Sequence, residues 1–252
     1  MSPPRTWLLL EVLVGSRAHH LASSDSDYDY RGVFVVPTVD LLGLGPAAKH
    51  TQWIEGQTDN TSWEVGHFLF LATKCNPNIL DVFRAGVTRL APPEIARKQS
   101  LLLWPHLLKA AGKQLLLLWP HLVSRRQARD AFLGYARNQF KKMMDQEAVD
   151  TPRVWKFGTT YLRVLQQGID LQETGTYSLA ITDPAWRAQL MAVREGRCTR
   201  GQIIDNALRL QERLFRAETQ SVLPEAPNLD AVNQFLLQVR RDFWAWDEET
   251  NP

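Results

Sequence analysis

Cysteine and long apolar segments are both scarce in this sequence, and each shortage excludes a class of protein. Only Cys75 and Cys198 occur among the 252 residues, far apart and without metal-ligand residues beside them. We therefore expect reduced thiols, with one long-range disulfide as the alternative. The most apolar region, 99–123, is interrupted by Pro, His and Lys before it reaches the roughly 20 residues that a membrane span needs. It argues against a membrane partner.

The beginning of the chain also lacks the features of a secretory signal. Its apolar run is short, and no small-residue cleavage site follows it. This pattern predicts a strand rather than a signal peptide. Together with the scarcity of cysteine, it leads us to expect a soluble, cytoplasmic protein.

Positive charge is concentrated in the middle of the chain. Thirteen Lys or Arg and four Asp or Glu lie from Arg97 to Arg163, a net +9, whereas the whole chain carries +2. The remainder is therefore at −7, the difference between these two values. A basic segment set against an acidic remainder indicates a polyanion or polyphosphate as a partner. A solvated helical face balanced by acids elsewhere explains it equally well.

The spacing of apolar residues changes along the chain from a strand pattern to a helical one. Strands are predicted at 8–14 and 30–36, and a third, partly exposed strand at 51–63. From Ser62 the period is helical, and Asn76 before Pro77 is typical of a helix start. Later helices are predicted at 92–112, 124–146, 153–172, 183–194, 199–219 and 228–245.

This order of elements predicts an α/β (α+β) fold in two parts. Residues 1–90 are expected to form a small head with a mixed sheet, and residues 91–252 a helical C-terminal domain. The segment LLLWPHL occurs at 101–107 and again at 116–122. It is too short for a repeat architecture, so we interpret it as a local duplication within a helical connection.

Two aspartates follow a small-residue turn in GSRAHHLASSDSDYDYRG, residues 15–32. Strand alternation places Asp27 and Asp29 on one face, and two close carboxylates stay ionised together only if a cation lies between them. Mg²⁺ and Mn²⁺ accept such oxygen ligands and leave positions for phosphate. Gly15 and Ser16 supply backbone N–H groups and a hydroxyl for that phosphate. The pattern indicates phosphoryl or nucleotidyl transfer, although Asp-x-Asp also occurs in calcium loops, glycosyltransferases and solvated turns.

This stretch resembles the signature of the DNA-polymerase-β-like nucleotidyltransferase superfamily, in which Gly-Ser precedes an Asp-hydrophobic-Asp motif. The longer string GSRAHHLASSDSDYDYRGVFV resembles one branch, a predicted nucleotidyltransferase family associated with RNA repair. Similar segments follow over most of the chain, from residue 8 to residue 215. They are WEVGHFLFLATKCNPNILDVF, FLGYARNQFKKM, KFGTTYLRVLQQGIDLQETGTYSL and LMAVREG.

The resemblance implies an enzyme that binds a nucleoside triphosphate, such as ATP, with two divalent ions, Mg²⁺ or Mn²⁺. It implies that Asp27 and Asp29 hold the metals and that Gly15 and Ser16 contact the triphosphate. Arg17 is expected to pair with a terminal phosphate through its forked donors, with an ordinary surface arginine as the alternative.

The superfamily uses a third carboxylate on a later strand, and Asp59 and Glu64 are the two candidates. Asp59 lies near the end of the predicted third strand, where active-site acids occur in open α/β sheets. Glu64 already has an explanation, because residues 61–64 match a capping box. We therefore predict Asp59 as the third catalytic and metal-binding residue.

Two further positions are singled out by the resemblance. The family usually has Gly where this chain has His20, so the loop is shaped differently, or His20 contacts substrate, or it is an exposed histidine without a role. Lys156 lies in a family-like segment and is expected to bind nucleotide. The alternative is that Lys156 is an ordinary solvent-exposed lysine that only keeps the helix surface soluble.

The expected function is metal-dependent transfer of NMP from an NTP to a hydroxyl, with release of pyrophosphate. The acceptor is an RNA end, a protein side chain or a small molecule, and the basic middle of the chain favours RNA. Two alternatives stay open: a non-catalytic nucleotide- or RNA-binding module that keeps the fold, and a phosphohydrolase that uses the same metals. The presence of both aspartates favours an active enzyme.

Overall fold

A computed structural model describes residues 7–23, 26–44, 51–54, 59–90, 103–146 and 151–244, with the backbone alone for 51–54, 59–60, 87–90 and 103–106. The strands in these ranges are β1 (Trp7–Val14), β2 (Asp29–Val35), β3 (Thr51–Ile54), β4 (Asp59–Glu64) and β5 (Val87–Leu90). The helices are α1 (Gly15–Ala18), α2 (Thr38–Leu42), α3 (Val65–Thr73), α4 (Pro77–Arg84), α5 (Leu103–Leu117), α6 (Trp119–Leu122), α7 (Arg125–Met144), α8 (Pro152–Thr174), α9 (Pro184–Arg194), α10 (Arg200–Thr219) and α11 (Leu229–Asp242). The predicted α/β class, a mixed sheet followed by helices, is confirmed.

The sheet has the strand order β3-β4-β2-β1-β5. β1 is antiparallel to both β2 and β5, β2 is parallel to β4, and β3 is antiparallel to β4. The single strand predicted at 51–63 is wrong, because the chain forms β3 and then reverses into β4. β5 was not predicted, because four residues are too few to establish an alternating pattern.

The strand directions bring three separate parts of the chain to one edge of the sheet. Val14, the last residue of β1, pairs with Asp29, the first residue of β2. Asp29 in turn pairs with Asp59, the first residue of β4. The turn that follows β1 therefore lies beside the beginnings of two parallel strands.

The helices bury their apolar faces in two cores. Residues of β1 and β2 pack with those of α3, α4, α5 and α11, whereas α7, α8, α9 and α10 share a second core. The N–H groups of Thr38 and Val39 donate to the carbonyls of Phe243 and Trp244, each at 2.9 Å, which ties the end of α11 to the head. The division into 1–90 and 91–252 stays a prediction, since α5 and α11 pack on the sheet from beyond residue 90.

Side chains cap the starts of several helices, including the predicted start at Asn76. Asn76 Oδ1 accepts from the Asn78 N–H at 3.1 Å, directly before Pro77. Thr199 and Gln202 form a complete capping box at the start of α10. Of the predicted helix 92–112, residues 92–102 lie outside the described part, and α5 continues to Leu117. The second LLLWPHL copy contains the break between α5 and α6.

Both cysteines are unpaired, as predicted. Cys75 is buried, and desolvation raises the pKa of its thiol to about 11. In the described ranges, no helix is both long enough and apolar enough to cross a membrane.

Candidate active site

Gly15 follows β1 and is in contact with the Asp29 carboxylate. Its φ is +72°, in the left-handed region that favours glycine. A Cβ atom at this position would lie 2.0 Å from Asp29 Oδ2 and 2.9 Å from Asp29 Cγ. Backbone conformation and space therefore both require glycine here, and the turn and the second aspartate of the motif are adjacent.

The three predicted carboxylate residues lie along one edge of the sheet. Asp27 is exposed on the loop before β2, and Asp29 is partly buried at the start of β2. Both line the same cleft. Asp59 occupies the register position beside Asp29, so it begins its strand instead of lying near its end as we predicted. Its backbone placement accords with its proposed role, which stays a prediction.

Glu64 lies at the other end of β4 and has a structural role. Five residues along a strand separate it from Asp59 by about 16 Å. Its carboxylate accepts from the Gly66 N–H at 2.7 Å and from Arg240 at 2.6 Å, and the residue is 2% exposed. The capping-box interpretation of residues 61–64 is wrong, because these residues belong to β4 and Glu64 itself caps α3.

We expect Glu64→Gln to destabilise the fold without impairing the reaction step. The change leaves the partly buried Arg240 without a charged partner, which costs about 2 kcal/mol of unfolding free energy. Denaturant unfolding measures this loss, and Glu195→Gln in the exposed Glu195–Arg197 pair is the control, expected within about 1 kcal/mol of wild type. Normal stability combined with lost activity would contradict this assignment.

A cleft of about 620 Å³ separates the head from the helical part. From the head it is lined by Gly15, Ser16, Asp27, Asp29 and Arg31, and from α7, α8 and α9 by Tyr135, Gln139, Lys142, Lys156, Phe157, Thr160, Arg163 and Arg194. One wall is therefore acidic at the sheet edge, and the facing wall is predominantly basic.

The basic wall carries cations that are not neutralised within the described part of the chain. Lys142, Lys156 and Arg194 form no ion pair with any described side chain. Lys156 is exposed and lines the cleft. Its predicted contact with nucleotide requires such a position. A cleft with uncompensated positive charge on one side attracts polyanions.

Arg17 does not line the cleft. Its guanidinium donates to the Ser26 carbonyl from Nε at 3.0 Å and from Nη2 at 2.6 Å, and it lies 4.0 Å from the centre of the Tyr28 ring. These contacts hold the loop that carries Asp27. Arg17 is thus placed as a positioning residue for the motif, and its contact with a terminal phosphate stays a prediction.

His20 has the backbone conformation of the glycine that the family usually has at this position. Its φ is +59°, and its carbonyl accepts from Arg187 Nε at 2.9 Å. The side chain is exposed and is not part of the cleft lining. The loop therefore keeps the shape that glycine favours, which accords with a histidine that has no contact with substrate.

His19, Asp81 and Arg163 form a buried polar floor to the cleft, and Tyr177, which is buried and does not line the cleft, joins their network. Tyr177 donates to Asp81 Oδ1 at 2.8 Å, and the Arg163 guanidinium lies 3.9 Å from Asp81 Oδ2. His19 Nε2 is 3.8 Å from the same carboxylate, and His19 Nδ1 lies 3.0 Å from the Leu179 carbonyl. This network joins the turn after β1 to α4, α8 and the segment that follows α8.

Burial decides the protonation behaviour of this network. Desolvation, helped by the Arg163 charge, holds the pKa of His19 well below its ordinary value. Desolvation also raises the pKa of Asp81, although Arg163 and the Tyr177 hydroxyl act in the opposite direction. The pKa of Tyr177 is raised well above its ordinary value, again mainly by burial.

We expect His19 to make the fold sensitive to mild acid. The pKa of His19 is lower in the folded state than in the unfolded state, so the unfolded chain takes up a proton first as the pH falls. The contribution of His19 to stability is therefore present above about pH 6.5 and is lost below it. Between about pH 6.5 and 5, the unfolding free energy should fall with decreasing pH in wild type more steeply than in His19→Gln. The difference between the two slopes should reach about 1.4 kcal/mol per pH unit. Equal slopes would contradict a buried, neutral His19.

Sequence reasoning missed most of this floor and part of the basic wall. A signal for Asp81 was available, because it is the one acid within the buried apolar run NPNILDVF. Arg163 is likewise the one charged residue in the apolar run YLRVL. Arg31 is two residues beyond Asp29 and so shares its strand face. Nothing in the sequence indicated that Tyr177, in a loop, would meet Asp81.

The donor set suits a hard divalent cation. Asp27 and Asp29 provide carboxylate oxygens at the cleft, and Asp29 Oδ2 lies against Gly15. Mg²⁺ and Mn²⁺ favour such oxygen ligands. Among the described side chains, no group of three or more His, Cys, Asp or Glu residues gathers as a metal cluster. Asp59 is added to these candidate metal ligands only because its backbone pairs with that of Asp29.

The sheet pairing thus brings carboxylates to a cleft whose facing wall carries positive charge. Residues 5–238 match the model of the RNA repair pathway DNA polymerase beta family, RlaP. The match covers most of the chain, and the protein belongs to this family, as the sequence resemblance indicated. No curated protein matched the chain.

Proposed function

We propose that the protein is a metal-dependent nucleotidyltransferase that moves an NMP from an NTP to a hydroxyl acceptor. The observation that carries this proposal is the contact between Gly15 and Asp29 at the cleft, with Asp59 in register beside Asp29. Family membership supports the same reaction type. Under this proposal, activity depends on residues at the end of β1 and at the starts of β2 and β4, which the sheet pairing brings together.

Asp27, Asp29 and Asp59 are the residues that would hold Mg²⁺ or Mn²⁺. When bound, the ions would supply positive charge at the reacting phosphate and make a nearby hydroxyl more acidic. Gly15 and Ser16 would contact the triphosphate from the head, because both line the cleft beside Asp29. Lys156 would contact it from the facing wall, where its charge is not neutralised by a described acid.

The proposed reaction makes one phosphorus–oxygen bond and breaks another. The acceptor oxygen bonds to the α-phosphorus, the bond from that phosphorus to the β-bridging oxygen breaks, and pyrophosphate leaves. The hydroxyl proton passes to a base, for which Asp59 is the candidate. The basic wall favours a polyanionic acceptor, so an RNA end suits the cleft better than a neutral small molecule.

The test is an incorporation assay with each α-labelled NTP, Mg²⁺ or Mn²⁺, and separate pools of RNA, protein and small-molecule acceptors. We expect label in the RNA pool and none when the label is on the γ-phosphate. Transfer of the γ-label would indicate a kinase, and free labelled NMP would indicate a hydrolase. NTP binding without any transfer would favour the non-catalytic alternative.

A further inference from the structure

A second groove opens beside the cleft, between α8 and the end of α9. It has a volume of about 720 Å³, and its lining includes Arg153 and Met191. Lys156, Phe157 and Arg194 line both this groove and the cleft. Groove and cleft therefore adjoin each other along these three residues.

The groove is basic. Arg153, Lys156 and Arg194 contribute three positive charges, and none of them is paired with an acid in the described residues. Glu195 is the one acidic residue in its described lining, and it is bound by Arg197 at 2.6 Å. A ligand in this groove therefore meets positive charge without a free competing carboxylate.

An aromatic ring lies among these charges. Phe157 is half-buried, with its ring centre 5.9 Å from Lys142 Nζ and 6.0 Å from Arg153 Cζ. Both cations lie over the ring, so a base that stacks on Phe157 would displace them toward the adjoining phosphates. Cations alone would suit any polyanion, whereas the ring adds a preference for bases.

One face of α8 leads from the groove into the cleft. Arg153, Lys156, Thr160 and Arg163 are spaced by three or four residues, which places them on one side of the helix. The distance from Arg153 to Arg163 along the axis is about 15 Å. That length accommodates roughly four stacked nucleotides.

We infer that this groove binds the terminal segment of a single-stranded polynucleotide acceptor and directs its terminal hydroxyl toward Asp27 and Asp29. The inference rests on the proposed function, because the strand is assigned as the acceptor of that reaction. A single strand fits better than a duplex, since base faces are free to stack on Phe157 only when they are unpaired.

The experiment measures strand binding separately from the reaction. Fluorescence anisotropy of a labelled ten-nucleotide RNA is recorded without NTP on the Asp29→Asn protein, at several salt concentrations. The same sequence as DNA identifies the preferred sugar, and a duplex of the same length tests the requirement for a single strand. Groove variants are made in this background.

Two groove variants have different expected signatures. Phe157→Leu should weaken single-strand binding about fivefold to tenfold and leave the salt dependence unchanged, because a stacking contact is lost. Arg153→Gln with Arg194→Gln should make the slope of log K against log salt less steep by about 1.4, because two phosphate contacts are lost. Arg209→Gln, at an exposed site on α10 outside the groove, should match the parent.

Equal losses for Phe157→Leu and Arg209→Gln, or duplex binding as tight as single-strand binding, would overturn the inference. Failure of the proposed function has a different signature, because the binding assay involves no turnover. A protein that transfers NMP normally but shows no groove effect refutes the groove alone. A protein that binds strands as described but transfers nothing refutes the proposed reaction and leaves the groove as a binding site.

Discussion

Asp29→Asn is expected to lower nucleotidyl transfer by roughly 1,000-fold, with the fold intact. The change keeps the size of the side chain and removes the negative charge that we assign to metal binding. At 1.36 kcal/mol per factor of ten, the loss corresponds to about 4 kcal/mol of transition-state stabilisation. Steady-state rates at saturating NTP and metal measure it. The size of the effect follows from the position of Asp29, which lies between the Gly15 turn and the strand that begins at Asp59.

The matched control is Asp205→Asn, which makes the same chemical change at an exposed site on α10. Its activity and its unfolding midpoint should equal those of wild type. Raising the Mn²⁺ concentration should recover part of the Asp29→Asn activity and should have no such effect on the control. An Asp29→Asn protein with more than about a tenth of wild-type activity would contradict the assignment of Asp29 as a metal ligand.

Gly15→Ala is expected to damage both stability and activity. Alanine in the left-handed region costs about 1–2 kcal/mol, and its Cβ would overlap the Asp29 carboxylate oxygen, 2.0 Å away. Either Asp29 or the turn must move. Since a displacement of about 1 Å at a reacting centre costs roughly 100-fold in rate, we expect a loss of that order.

Gly86→Ala provides the comparison, because no atom of the described residues, apart from its chain neighbours, lies within 4 Å of the Cβ that it would add. It should change the unfolding free energy by less than about 1 kcal/mol and leave the rate unchanged. The decisive comparison is between the transfer rates of the two variants, each divided by the folded fraction of the protein. Circular dichroism determines that folded fraction. Gly15→Ala protein that is folded and fully active would show that the turn does not need to approach Asp29 closely.

The local parts of the site were predictable from sequence because their signals are short in range. The Gly-Ser turn, the alternating aspartates and the Asn76-Pro77 helix start each depend on neighbouring residues and on backbone preferences. The positive φ of His20 is likewise consistent with the glycine that the family usually has there. Such features are set before any long-range packing is known.

Pairings between distant residues were not predictable in this way. Glu64 matched a capping pattern locally, yet its partner is Arg240 on the last described helix. The contact of Asp81 with Tyr177 spans 96 residues and depends on how α4 and α8 pack. The antiparallel pairing of β3 with β4 was not predicted either, because residues 51–63 were interpreted as one strand. Only the tertiary arrangement shows these contacts.

Above all, we propose that the cleft transfers an NMP and releases pyrophosphate. The most direct test counts both products of one reaction, the pyrophosphate released and the labelled NMP attached to a single-stranded acceptor. We expect one pyrophosphate per NMP attached, with both products lost together in Asp29→Asn. Release of inorganic phosphate, or of free NMP with nothing attached to the acceptor, would contradict the claim.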